Sequence, residues 1–116
     1  MLLTRDRHLL RELRPPAALE IVHDAPLAQL KQVVESLDVA APGELFTRCM
    51  LCNTPLSEPL TFDEIRDLVP ENSRSVLGPV RRCPSCLRVY WHGSHTRRMR
   101  AAIERTLPGW LPPGVR

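Results

Sequence analysis

The chain carries four cysteines, Cys49, Cys52, Cys83 and Cys86, set as two C-x2-C pairs with thirty residues between them. Two residues between thiols let a tight turn aim both sulfurs at one ion, and two such turns complete a tetrahedron. An even cysteine count also admits two disulfides. However, charges at Arg5, Asp6 and Arg7 interrupt the apolar run that a secretory signal requires. A reducing, cytoplasmic setting is therefore expected, and disulfides rarely persist there. A redox-active C-x-x-C has no need of a second copy. The spacing reads as a four-cysteine zinc ribbon whose ion is structural, because four thiolates leave no open coordination position. Binding of such an ion contributes about 10–16 kcal/mol of apparent free energy in small peptides, comparable with the whole net stability of a small domain. His92 and His95 flank the second pair and are able to ligate, but with four thiols present they read as non-ligands.

At 116 residues the chain has room for one small domain or two very small ones, so a metal adds substantially to a modest core. A hydrophobic share of 43 % and a charged share of 25 % are those of a globular chain. No apolar run approaches the roughly 18–20 residues of a membrane-spanning helix, and no membrane partner is expected.

Ahead of the cysteines the pattern is strand, helix, strand, helix, the order of a parallel α/β sheet. Leu2, Leu3 and Thr4 read as a short strand. Thr4 is the expected N-cap of the next helix, with Asp6 in its first turn and Leu9, Leu10 and Leu13 as its apolar face. Pro15 and Pro16 end that helix. Residues 18–22 form the second strand candidate. Asp24 is the expected cap of a helix with Pro26 in its first turn and a stripe of Leu27, Leu30, Val33, Val34 and Leu37. Residues 40–44 read as a linker.

Between the cysteine pairs, Thr61 and Glu64 make a capping box for a short helix through Ile65, Leu68 and Val69, stopped by Pro70. Residues 80–83 and 87–91 are expected strands flanking the second knuckle. Ser94 is the expected N-cap of a last helix running to Leu107, and the residues from Trp110 onward are expected to be extended or frayed. The domain reading is 1–40 for the α/β part, 41–107 for the ribbon with its inserted and terminal helices, and 108–116 for a tail.

Charge is distributed unevenly. Residues 1–73 hold twelve of the thirteen acids, whereas residues 74–116 hold nine bases and only Glu104. A basic C-terminal third points to a polyanion engaged by one end of the molecule. Fifteen of the sixteen bases are arginine, which fits phosphate recognition but equally fits a base-composition bias. On the last helix Arg97, Arg98 and Arg105 share one side, opposite Met99, Ala102, Ile103 and Leu107. Arg81, Arg82 and Arg88 add positive charge nearby in sequence, with Tyr90 and Trp91 between them. This pattern suits RNA binding. A plain solvated face is the other reading, and Trp91 serves equally well as a stacking platform or as packing. Tyr90 reads as packing.

Three segments together resemble the Mut-seven C-terminal ribonuclease domain family. They are LLTRDRHLL at residues 2–10, Arg48 through Leu56 around the first knuckle, and Cys83 through His95 with Arg98 and Met99 around the second. The resemblance runs from residue 2 to about residue 99. It implies a PIN-like nuclease with an appended zinc ribbon: an α/β protein with a partial PIN-like parallel sheet, a four-cysteine ribbon and a C-terminal helix. Residues 1–40 are then the C-terminal half of the PIN-like domain. Such enzymes gather carboxylates around Mg²⁺ or Mn²⁺ to hydrolyse RNA. By resemblance Asp6 is one of those carboxylates. Asp24 occupies the analogous place after the second strand, where an N-cap role competes. The family pattern is expected to begin before residue 1, with a strand ending in Asp and a further acid ahead of the Leu-Leu-Thr strand. The open sheet edge is then expected to be covered by a second copy, a partner protein or an upstream segment. Leu87 stands where the family usually has Gly.

Overall fold

The computed structural model describes residues 1–69 and 79–113. Among the described residues eight elements follow one another: β1 (Leu2–Thr4), α1 (Arg7–Leu13), β2 (Ala18–Glu20), α2 (Pro26–Leu37), α3 (Phe62–Leu68), β3 (Arg81–Arg82), β4 (Val89–Tyr90) and α4 (Ser94–Thr106). The chain divides into two compact units, one of Met1–Ala41 with Ala102–Leu111 and one built on Pro42–Ala101. Among the described residues no helix is long and apolar enough to cross a membrane.

The first unit is the α/β part. β1 and β2 pair in parallel, with Leu3 opposite Leu19, and the ladder continues through Ile21 N–H to the Thr4 carbonyl at 2.7 Å. Ile21, Val34, Leu107 and Leu111 are buried here. Two glutamines fasten α2 to the end of β2. Gln32 donates to the Glu20 carbonyl at 2.6 Å and accepts from Val22 N–H at 3.0 Å, and Gln29 donates to the His23 carbonyl at 2.8 Å. Polar loop groups that a short sheet leaves over are satisfied in this way. The described part of the segment after α4, through residue 113, is not frayed as expected; residues 114–116 lie outside the described residues. Leu111 is buried and the Trp110 indole donates to the Val39 carbonyl at 2.9 Å, so apolar burial and one hydrogen bond hold it.

Two expected caps are replaced by neighbours. Asp6, not Thr4, is the N-cap of α1: its carboxylate accepts from Leu9 N–H at 3.0 Å. Thr4 instead accepts from Asp6 N–H at 3.0 Å, which turns the chain out of β1 two residues before the helix begins. At α2 the cap position is Ala25, which makes no side-chain cap bond. The proline at the first helical position forces the preceding residue to be extended, and extended is the conformation an N-cap needs. Asp24 therefore falls one residue too early to cap, and its carboxylate pairs with Arg5. Ser94, the expected cap of α4, is the first residue inside that helix.

The second unit holds the cysteines. β3 and β4 pair antiparallel, Arg81 opposite Tyr90 and Arg82 opposite Val89. Ser57 N–H and Leu60 N–H bond to the carbonyls of Arg82 and Val80, so residues 57–60 run beside β3. The capping box of α3 is present: Thr61 accepts from Glu64 N–H at 3.4 Å and Glu64 accepts from Thr61 N–H at 3.2 Å. Thr61 also holds the Glu64 carboxyl below its usual range. Pro70 lies outside the described residues.

Because asparagine caps a helix as well as aspartate does, Asp6→Asn is expected to leave stability within a few tenths of a kcal/mol. Asp6→Ala is expected to cost about 1 kcal/mol through loss of the cap. Urea unfolding of the two variants distinguishes them, and equal losses would show that Asp6 is not the cap.

Candidate metal centre

The two knuckles are built on one plan. After the second cysteine of each pair the chain enters the left-handed region, at Asn53 (φ 55°) and Leu87 (φ 66°). Asn53 N–H returns to the Cys49 carbonyl and Leu87 N–H to the Cys83 carbonyl, both at 2.9 Å. Cys49 N–H and Cys83 N–H then bond to the carbonyls of Thr54 and Arg88, again both at 2.9 Å. An Arg48–Pro55 bridge closes the first knuckle, as the β3–β4 pair closes the second. Two matching turns thus present their thiols to a common point.

All four sulfurs lie within 4.8 Å of one another. The separations are 3.4 Å for Cys49–Cys52, 3.4 Å for Cys52–Cys83 and 3.6 Å for Cys49–Cys86. Sulfurs about 2.3 Å from a tetrahedral ion sit about 3.8 Å apart, whereas a disulfide needs about 2.05 Å. The cysteines are free thiols in a cage of metal-binding size, and a four-sulfur donor set suits a soft or borderline ion. Cys49 and Cys83 are buried while Cys52 and Cys86 are exposed, so the first thiol of each pair anchors the cage to the fold.

Tyr90 supports the cage from behind. Its hydroxyl accepts from Met50 N–H at 3.0 Å and lies 3.1 Å from the Cys49 sulfur, to which it donates. That hydrogen bond lowers the Cys49 thiol to about 6 against burial, helped by the amides of Cys52 and Leu51. The same contact raises the Tyr90 hydroxyl, with burial adding to it. The Cys86 and Ser85 amides lower Cys83. At Cys86 the Arg88 amide favours the thiolate, but burial and hydrogen bonds with the other three sulfurs outweigh it and push the thiol up to about 11. Coordination requires thiolates, so an ion entering the cage displaces the thiol protons it meets.

A groove of about 600 Å³ adjoins the cage, and Met50 and Tyr90 belong to both. Phe46, Trp91 and His92 supply aromatic walls, and Arg48, Arg81 and Arg97 supply positive charge. Phe46 packs edge-on against His92, with ring centroids 5.7 Å apart. It does so from a left-handed backbone, φ 60°, which costs a bulky residue about 1–2 kcal/mol.

Among the expected nucleic-acid residues, Arg81, Trp91 and Arg97 line this groove. Arg81 is already engaged with Glu44 at 2.9 Å and the Ser57 carbonyl at 2.9 Å. Arg82 is tied to the Leu87 carbonyl. Arg88, Arg98 and Arg105 are exposed and do not line it. In the first unit Asp6 caps α1, Glu20 pairs with Arg7 at 2.7 Å and Asp24 pairs with Arg5. Among the described residues the four cysteines form the one metal-sized cluster, and the carboxylates form none.

A parallel strand pair with helices, joined to a four-thiol ribbon, defines an α/β protein with a four-cysteine knuckle unit of metal-binding size. Residues 1–103 match the model of the Mut7-C RNAse domain. The chain belongs to that family. Comparison with curated proteins and with solved structures finds no match.

Sequence reasoning expected Tyr90 to pack onto the zinc site or the last helix, but foresaw neither the hydrogen bond of its hydroxyl with Cys49 nor the contribution of Phe46. The alternating order in Val89, Tyr90 and Trp91 carried a signal, since neighbours on a strand face opposite ways. Phe46 gave none, because its place depends on an unusual backbone angle.

Tyr90→Phe deletes the donor to Cys49 and is expected to weaken metal binding about 10-fold, at the low end for loss of a ligand's supporting hydrogen bond. Competition with a chromogenic chelator measures it. Leu87→Gly relieves a left-handed leucine that is 56 % exposed. It is expected to raise the stability of the metal-loaded chain by about 1 kcal/mol, read by thermal unfolding.

Proposed function

We propose that this chain is a PIN-like, metal-dependent ribonuclease-type protein that holds RNA on its ribbon, with zinc as the structural ion in the four-cysteine cage. The observation carrying this reading is the groove beside the cage. Within an RNase-domain family, a cleft that joins aromatic walls to arginines is chemically suited to bases and phosphates. A zinc ion held by four thiolates supplies folding energy and fixes the two knuckles. The chain's own residues then do the holding: Tyr90 and Met50 tie the cage to one wall of the groove, and Arg97 offers a guanidinium at its edge.

Hydrolysis with Mg²⁺ or Mn²⁺ is the family-based part of the reading, with Asp6 as the proposed ligand at the end of β1. Asp6, Glu20 and Asp24 do not form a metal-sized cluster among the described residues, and each is engaged by a donor of its own chain. No hydrolytic step is derived from them. The separation of these carboxylates favours a second reading, in which the chain binds RNA or protein without cutting. A second copy or a partner protein supplying further carboxylates reconciles the two.

Cleavage of labelled single-stranded and structured RNA, with Mg²⁺ or Mn²⁺ and with chelator, separates the readings. Under the nuclease reading Asp6→Asn abolishes metal-dependent cleavage while retaining zinc and stability, since the cap survives. RNA binding without cleavage by the parent chain favours the binding module. In either case, replacing Arg97, Arg98 and Arg105 with Glu is expected to abolish binding and its steep salt dependence. Unchanged binding in a filter assay would show those arginines to be a solvated face.

A further inference from the structure

We propose that the groove beside the metal cage takes one unpaired nucleobase, so that the ribbon selects single-stranded over duplex RNA. This rests on the reading that the ribbon faces RNA. Phosphate contacts alone do not distinguish paired from unpaired strands, and an aromatic cleft does. In a duplex the bases are stacked inside and their faces are unavailable, whereas an unpaired base is free to stack on an aromatic ring.

Three observations converge on this cleft. Its volume, about 600 Å³, lies within the range of roughly 300–1,000 Å³ for small-molecule sites. Its lining holds no carboxylate, and although Arg81 is paired with Glu44, Arg48 and Arg97 add positive charge to the aromatic walls, so the complementary ligand is an aromatic group carrying negative charge, which a nucleotide is. Two of its aromatic walls are also unusual in how they are held. Phe46 is kept in the groove by a left-handed backbone, and strain of this kind persists where the surrounding structure holds a side chain in a required place. Trp91 is half-buried, and among the described residues its indole N–H has no hydrogen-bond partner. The other tryptophan, Trp110, uses its N–H on the Val39 carbonyl. Trp91 therefore offers both a stacking face and an unused donor for a base-edge acceptor, and Arg97 lies along the same groove for the adjoining phosphate.

The test uses the zinc-loaded full chain, a single-stranded RNA octamer containing one 2-aminopurine, and the blunt duplex of the same sequence. Anisotropy gives affinity, and 2-aminopurine fluorescence reports stacking. The single strand is expected to bind at least 10-fold more tightly than the duplex, with quenching. Trp91→Ala is expected to lose about 10-fold on the single strand, the effect of one stacked base, with duplex binding unchanged. Trp91→Phe is expected to recover most of the loss. Zinc content shows that each variant keeps its cage. Should Trp91→Ala lose the ion, Phe46→Gly is read in its place, since it removes a wall while relieving the backbone. Equal affinity for both RNAs, or loss of both together, overturns the base pocket and leaves an RNA-facing charged surface. Absence of binding to either RNA at low salt overturns the RNA-facing reading and the pocket with it.

Discussion

The convergence of four sulfurs on one point is the constraint on which the ribbon unit depends. Among its described residues that unit has two two-residue strands, one seven-residue helix and the first part of α4, and such short elements have little apolar surface to bury. Its buried positions are Val69, Val80 and the two anchoring cysteines, Cys49 and Cys83. Half of that short list belongs to the four-cysteine cluster, so a metal bound there would supply much of the cohesion that a larger domain draws from its core. Burial of one cysteine per knuckle is what ties the ion to the fold. The exposed partners, Cys52 and Cys86, complete the cage from the solvent side.

From the cage the structure extends through Tyr90. One phenol takes the amide proton of Met50 from the first knuckle and gives its own to Cys49, while its backbone belongs to β4 of the second. Both knuckles are thus connected through an atom that is not a ligand. Since Tyr90 and Met50 also line the groove, whatever fixes the cage also fixes one wall of the candidate site.

Much of this was legible in the chain. Cysteine spacing specified the cage, and Thr61 with Glu64 specified the start of α3. The alternation of apolar and proline punctuation gave β1, α1, β2 and α2 in order. What periodicity could not resolve was which of two polar residues, two positions apart in the chain, would cap. Thr4 and Asp6 both suit an N-cap by composition, and the choice turned on where the chain leaves β1. Asp24 lost its cap role to a geometric effect of Pro26 on Ala25, and an arginine nineteen positions upstream in sequence took up its carboxylate. Phe46 was illegible because its role follows from a backbone conformation that few phenylalanines adopt. Basic residues were easy to list and hard to sort, since charge alone does not show that Arg81 is held by Glu44 while Arg97 remains at a groove.

That sorting bears on how the two halves of a nuclease reading stand. Carboxylates useful to a divalent ion have oxygen lone pairs directed at a shared point, as the thiols here do for theirs. Asp6, Glu20 and Asp24 instead face an amide and two guanidinium groups of their own chain. Such contacts are exposed and individually weak, on the order of 1 kcal/mol or less for the ion pairs, so an incoming divalent ion is able to displace them. Their presence therefore does not oppose metal binding strongly. What is missing is number: a hard ion with six or more oxygen positions to fill gains little from one aspartate. Further carboxylates from beyond the described residues are what a hydrolytic role for Asp6 requires, whereas the side chains that line the groove beside the cage all belong to the ribbon unit itself.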